Sequence, residues 1–273
     1  MSENRFNFPL ALQLLLTSDY PEQEETRRRF ALLAELGFSG VEINFPAPEE
    51  IDPEKLAEFL AGFGLRCSMF ATGFTAKSEK LSLSSADEHV RLRSVERCLD
   101  FIDFAARLDA GVIVGFLKGG PAPSATERET ARLCFADSLA RIAPRAAERE
   151  APLLIEATNR YESAVANSLE ETAALVKPYA AGGMRILPDT FHMNIEEADP
   201  LAALERFAPL YDSLHISDNN RFFPGLGAID FSRYLDWLKN SGYRGGLAIE
   251  GNLKQDLESD LRASLSYLAP LLR

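Results

Sequence analysis

One rhythm constrains this chain more than any other feature. Short runs rich in Val, Ile, Leu and Phe recur eight times, at 10–16, 41–44, 66–70, 112–116, 153–156, 185–189, 213–216 and 247–250. Each is followed by a longer stretch with apolar residues at three- and four-residue spacing, at 22–36, 53–62, 88–108, 127–150, 169–179, 200–207, 231–241 and 257–271. Such alternation is the signature of repeated strand–helix units around a parallel sheet, and eight units are enough to close it into a ring. The pattern therefore predicts the α/β class and a (β/α)8 TIM barrel. Its 273 residues suit a single barrel of roughly 250 residues, so one domain over 1–273 is expected.

Local punctuation agrees with these boundaries. Ser168 three residues before Glu171 has capping-box spacing, and Asp199-Pro200 offers a side-chain acceptor followed by proline at a helix start. Gly37, Gly64, Gly111 and Gly242 each stand between a helix and the next strand, where a left-handed turn is often needed. The polar stretch 72–87 is long for a strand-to-helix loop and falls at the barrel end where substrates bind, so a lid or rim is expected there.

Charge and composition exclude several classes. Lys plus Arg number 29 against 41 for Asp plus Glu, a net charge of −12 that repels a nucleic-acid backbone. The longest largely apolar stretch, 8–16, is about half of the roughly 20 residues a membrane helix needs, and no secretory signal pattern opens the chain; a cytoplasmic protein without a membrane partner is expected. Cys67, Cys98 and Cys134 are widely spaced and odd in number, which argues for free thiols rather than disulfides or a zinc site.

Chemistry is concentrated at strand ends. Glu156, Asp189, His215 and Glu250 end or nearly end four consecutive candidate strands. In a (β/α)8 barrel those ends converge on one mouth, so residues far apart in sequence can address one point in space. Three carboxylates and an imidazole form a mostly hard donor set suited to Mn²⁺ or Mg²⁺. Without a cation, such a cluster would suffer strong mutual repulsion. Around it, Arg160 and Glu162 follow Glu156, His192 follows Asp189, and Arg221 follows His215. All are placed to hydrogen-bond sugar hydroxyls, although His192 could equally orient a carboxylate, and Arg160 and Arg221 could form rim ion pairs. His89 sits in an amphipathic helix and has no assigned role. Gly225-Leu226-Gly227 lacks the context of a dinucleotide site and reads as a loop. Phe222 and Phe223 in the same loop could cover a substrate or a subunit contact, while Trp237 reads as helix packing.

The strings GFSGVEI (37–43), EATNRYE (156–162), DTFHMNIEE (189–197) and HISDNNRFFPGLGAIDF (215–231) resemble the xylose isomerase-like barrel superfamily. Within it they are most similar to ketose 3-epimerases of the D-tagatose, D-psicose (allulose) and L-ribulose type. The resemblance implies that Glu156, Asp189, His215 and Glu250 bind one divalent ion, most often manganese, with cobalt or magnesium as substitutes. It implies that Glu162, His192 and Arg221 contact the sugar, and that Glu156 and Glu250 act as the acid/base pair in C3 epimerisation. A homodimer or homotetramer is also implied. The chain departs from the epimerase pattern at Gly251-Asn252, where those enzymes carry Pro-Phe. Related readings keep the metal set: an aldose–ketose isomerase, an inosose dehydratase, a hydroxypyruvate isomerase-like enzyme, or a barrel that binds sugar without turnover.

Overall fold

Side chains alternate across a strand, and in a closed sheet that alternation decides which residues reach the interior. The computed structural model describes residues 6–46 and 48–273. Its strands are β1 (Leu10–Leu15), β2 (Gly40–Asn44), β3 (Arg66–Ala71), β4 (Gly111–Val114), β5 (Leu153–Glu156), β6 (Met184–Leu187), β7 (Ser213–Ile216) and β8 (Gly246–Ile249). All neighbours pair in parallel, in the order β6-β5-β4-β3-β2-β1-β8-β7. The seam between β6 and β7 has no ladder. It is drawn together by a bridge between Asp189 and His215, with the His215 N–H donating to the Pro188 carbonyl at 2.9 Å. The expected α/β barrel is what forms.

Ten helices surround the sheet among the described residues: α1 (Glu24–Leu36), α2 (Pro53–Ala61), α3 (Gly73–Ser78), α4 (Glu88–Ala106), α5 (Ala125–Arg149), α6 (Leu169–Val176), α7 (Thr190–Glu196), α8 (Pro200–Phe207), α9 (Phe231–Asn240) and α10 (Leu257–Leu268). The Ser168 hydroxyl accepts the Glu171 N–H at 3.1 Å, and the Glu171 carboxylate returns to the Asn167 N–H rather than to residue 168. Asp199 caps α8 through the N–H groups of Leu201 and Ala202. Gly37, Gly64 and Gly242 adopt left-handed φ as expected, whereas Gly111 is the first residue of β4.

Two expectations need correction. The strand expected to run to Asp189 stops at Leu187, because Pro188 has no N–H to give the ladder. The strand expected over 112–116 stops at Val114, where Gly115 turns the chain into a short 3₁₀ turn, Phe116–Lys118. Residues 72–87, expected as a lid or rim, contain α3, and the Leu83 and Ser84 N–H groups donate to the Leu117 and Lys118 carbonyls. Leu81 and Leu83 are buried there, so the segment is a packed rim.

Two apolar zones result. Val112 and Val114, Leu153 and Ile155, and Leu214 and Ile216 face the helices in one continuous core. Ala71, Ile113, Leu154 and Leu187 form a separate small cluster. They alternate with the helix-facing set and so fill the barrel interior. Cys67 and Cys98 are buried, Cys134 is half-buried, and all three are free thiols; burial pushes the Cys98 thiol up to about 12. Trp237 packs against the main core. No described helix is long and apolar enough to cross a membrane.

Phe45 follows β2, is fully buried, and packs its ring at 5.2, 5.5 and 5.4 Å from those of Phe70, Phe101 and Phe104. Phe45→Ala should destabilise the fold by about 3–5 kcal/mol through lost transfer energy and a residual cavity. Urea unfolding checks this, and a loss below about 1 kcal/mol would mean that the aromatic cluster collapses around the gap.

Candidate metal centre

The interior face of the barrel continues upward from Leu154 and Leu187 by two residues along each segment, reaching Glu156 at the end of β5 and Asp189 just beyond β6. The same alternation turns Glu42 inward between helix-facing Val41 and Ile43, His215 between Leu214 and Ile216, and Glu250 two residues beyond Ala248. One donor atom each from Glu156, Asp189, His215 and Glu250 lies within 4.8 Å of the others. Asp189 and His215 are fully buried, Glu156 is 6% exposed, and the Glu250 side chain is 21% exposed on the mouth side.

His215 shows how the cluster is prepared for a cation. Its Nε2 lies 2.7 Å from Glu42 Oε2 in a buried pair, an arrangement that keeps the Nε2 proton in place and aims Nδ1 at the other three carboxylates. Nδ1 stands 2.6 Å from Glu250 Oε2, 3.6 Å from Glu156 Oε1 and 3.8 Å from Asp189 Oδ2. Although buried, neither His215 Nδ1 nor Glu250 Oε2 has a hydrogen-bond partner. With the Nδ1 proton displaced, both atoms would be free to share one cation. Burial opposes a charge on His215, but the Glu42 and Glu250 carboxylates outweigh it and lift its pKa well above the ordinary imidazole value. Burial would likewise raise Glu250, yet Arg221 and His215 hold its carboxyl below the usual carboxylate range. The four carboxylates of Glu42, Glu156, Asp189 and Glu250 thus crowd around His215, with the Arg221 guanidinium against Asp189 and Glu250, and a divalent cation is the natural complement of the remaining negative charge. The donor set, three carboxylates and one imidazole, fits such an ion.

Supporting residues hold this geometry. The Asp189 carboxylate caps α7, accepting the Phe191 N–H at 2.8 Å through Oδ1, while Oδ2 accepts from Arg221 Nη1 at 2.6 Å. Arg221 also donates to Ser217 Oγ at 2.8 Å and lies 3.0 Å from Glu250. Its backbone is left-handed at φ 63°, fixed by the turn around buried Asp218, whose carboxylate accepts the N–H groups of Gly225, Gly227 and Ile229. The Gly225-Leu226-Gly227 string is therefore a wrap around Asp218. Gly251 lies against this turn: a Cβ there would come 2.9 Å from the Arg221 carbonyl and 3.1 Å from the Phe223 ring. Close approach of the two loops gives the departure at 251 its physical reason.

The remaining predicted residues divide. His192 is buried, accepts the Asn159 N–H at Nδ1, and places Nε2 3.8 Å from Glu156 Oε1. Glu162 accepts from Asn159 Nδ2 at 2.8 Å and shares a mouth cavity with Arg221 and Glu250. Arg160 instead forks onto Glu196 with its side chain 58% exposed, so its donors are committed to a rim ion pair. Phe223 is core, only 2% exposed. The sequence reading passed over Glu42 and Lys118. Glu42 was legible as the lone charge in an apolar strand. Lys118, fully buried, donates from Nζ to the Glu156 and Ala166 carbonyls and to Thr158 Oγ1, tying both ends of the loop that carries Asn159 and Glu162. Burial pushes its ammonium down to about 7. Nothing local distinguishes it from a surface lysine.

Glu42→Gln should weaken Mn²⁺ affinity about 10–100-fold, the usual effect of removing a carboxylate that orients a ligating histidine. Titration calorimetry on the metal-stripped protein reads this directly, and unchanged affinity would sever Glu42 from the centre. At Gly115 a Cβ would lie 2.3 Å from Glu156 Oε2. Because the carboxylate can swing away, Gly115→Ala should leave the melting temperature within a few degrees while lowering metal affinity at least about tenfold. Unchanged metal affinity in the folded variant would be the contrary result.

The sequence pattern of xylose isomerase-like TIM barrels matches residues 30–271. An L-ribulose 3-epimerase from Mesorhizobium japonicum is 30% identical over 246 residues, covering 88% of this chain and 80% of that protein. A 3-dehydro-D-guloside 4-epimerase from Escherichia coli is 26% identical over 254 residues, covering 90% of this chain and 94% of that one. A solved structure of an L-ribulose 3-epimerase superposes with a TM-score of 0.77 at 26% identity, over 95% of this chain and 94% of its own. The fold, the extent of the match and the relatives agree: the chain belongs to the xylose isomerase-like TIM barrel family.

Proposed function

We propose that this isomerase is a divalent-metal-dependent ketose 3-epimerase, with Mn²⁺ as its ion and a small sugar as its substrate. The observation that carries the reading is the cluster of Glu156, Asp189, His215 and Glu250 donor atoms within 4.8 Å, opening onto a cavity that also holds Glu162 and Arg221. The epimerases among its relatives support the reaction class.

Epimerisation needs a proton removed from a carbon beside a ketone and returned on the other face. When bound, the ion would draw charge from the ketone oxygen and make that carbon more acidic. Glu156 and Glu250 are the residues we assign to the proton transfers, one as base and the other as acid, with roles exchanged in the reverse direction. Arg221, fixed by Asp189 and Ser217, and Glu162, fixed by Asn159, are assigned to orient the sugar hydroxyls. His192 lies beside Glu156 and is assigned to the same end of the sugar.

Proton NMR of D-fructose, D-tagatose and L-ribulose in D₂O with Mn²⁺-loaded protein tests this. Deuterium at C3 together with a new epimer is expected, abolished by chelator and restored by Mn²⁺. Exchange confined to C1 would instead mark an aldose–ketose isomerase. Glu156→Gln and Glu250→Gln should each lower kcat by about 10²–10⁴-fold with the circular dichroism spectrum unchanged. Substantial turnover in either variant would overturn the assignment.

A further inference from the structure

An ammonium taken out of water costs several kcal/mol unless its donors are matched, and Lys118 is fully buried. Its donors are all engaged: Nζ bonds the Glu156 carbonyl, Thr158 Oγ1 at 2.9 Å and the Ala166 carbonyl at 3.1 Å. The β4–β5 ladder ends with Val114 beside Ile155, so Glu156 lies just past it, and Lys118 takes the carbonyl that no β4 residue reaches. The same nitrogen draws together the two ends of the loop after β5. There the Thr158 N–H also donates to the Ala166 carbonyl at 3.2 Å, and Asn167 Nδ2 bonds the Thr158 and Ser163 carbonyls. Ala166 is left-handed at φ 55°, a conformation that a residue with a Cβ keeps only when its surroundings hold it. Lys118 is itself anchored from the other side. The Leu83 and Ser84 N–H groups donate to the Leu117 and Lys118 carbonyls at 2.9 and 3.1 Å, and Ser138 Oγ donates to the Leu83 carbonyl at 2.7 Å. A Cβ on Gly119 would lie 2.3 Å from Ser82 Oγ, so the rim packs directly on the turn that carries the lysine.

We propose that Lys118 is a positioning residue for the substrate: acting through Asn159, it sets where Glu162 and His192 meet the sugar, while the metal donors keep their own supports. The proposal rests on the epimerase reading for what Glu162 and His192 touch. Asn159 directly follows Thr158, one of the groups that the lysine holds. Its N–H donates to His192 Nδ1 at 3.2 Å, and its Nδ2 donates to Glu162 Oε1 at 2.8 Å and stands 2.8 Å from His192 Nδ1. A shift of residues 158–166 therefore moves both sugar-facing side chains together. Three bonds from one nitrogen prevent that shift, because they tie residues 156, 158 and 166 to a single point after β4. Asp189, His215 and Glu250 take their positions from α7, Glu42 and Arg221 instead.

Lys118→Met keeps the length of the side chain and removes its donors. The assay uses Mn²⁺-loaded protein and whichever of D-fructose, D-tagatose and L-ribulose exchanges fastest at C3. KM is expected to rise at least about tenfold while kcat falls less than about fivefold, the mark of lost ground-state contacts. Calorimetric Mn²⁺ affinity, which a disordered centre would lose, should fall by no more than about threefold. Because the lysine acts through Asn159, adding Lys118→Met to Asn159→Ala should change KM by no more than about twofold, rather than multiply the two effects. An unchanged KM, multiplied effects, or a loss confined to kcat or to metal affinity would overturn the proposal. Should Lys118→Met fail to fold, Thr158→Val removes one acceptor, keeps the lysine and carries the same test, with KM raised at least about threefold. Amide hydrogen exchange keeps the proposal separate from the epimerase reading. In Lys118→Met the Asn159 N–H should exchange at least about tenfold faster, with the Phe191 N–H, held by Asp189, unchanged. If no sugar exchanges at C3 in the unmodified protein, the epimerase reading fails, while that exchange pattern still supports Lys118 as the residue that positions Asn159. Equal acceleration at both amides, or at neither, overturns it.

Discussion

Four carboxylates around the barrel centre, those of Glu42, Glu156, Asp189 and Glu250, are met by His215 and Arg221, and the arrangement of the mouth follows from that charge excess. Burying a charge costs several kcal/mol unless it is paired and hydrogen-bonded. Here three of the four have a fixed partner, and in Asp189 and Glu250 the oxygen that meets Arg221 is also the one nearest His215 Nδ1. Glu42 is tied to His215, Asp189 to α7 and Arg221, Glu250 to Arg221, and Glu156 is pressed toward Gly115. A divalent cation would give the oxygens of Glu156, Asp189 and Glu250 one shared counter-charge.

The barrel seam and the centre are the same structure. β6 and β7 meet without a ladder, and their junction is the Asp189–His215 bridge with the Pro188 carbonyl as acceptor. Two donors of the cluster therefore also hold the sheet closed. On the opposite wall, the register between β2 and β3 shifts between Val41 and Glu42, with Ser68 as the extra residue. Irregularities of this kind re-aim side chains, and here the shift occurs at the carboxylate that orients His215. The same economy extends to the loops: Lys118 ties down the exit of β5, and Asp218 winds the turn that presents Arg221.

The relation between fold and chemistry also explains why the mouth has two characters. Inward positions near the ends of β5 to β8 carry the charge cluster, whereas Leu15 at the end of β1, Phe74 on α3 and Phe116 after β4 give the same cavity an apolar side. Hydrogen bonds and ion pairs set the geometry of the charged side, and apolar surface gives the other its capacity for contact.

The sequence by itself determined the eight-fold alternation, and with it the barrel, because period-2 and period-3.6 apolar patterns cannot be satisfied by one element type. It also pointed to the four residues of the cluster, since strand ends converge in any such barrel, and Glu42 was present as a lone charge between Val41 and Ile43. Strand ends were less legible: the run through Asp189 breaks at Pro188, and the run through Phe116 breaks at Gly115, because local backbone chemistry there overrides an apolar pattern. Only the tertiary structure decided that Lys118 is buried beneath Glu156, that Arg160 turns away to Glu196, and that three apolar side chains from separate segments share one wall. Each of those outcomes depends on distances across the barrel, set by packing between residues whose separation in the chain carries no trace of their contact.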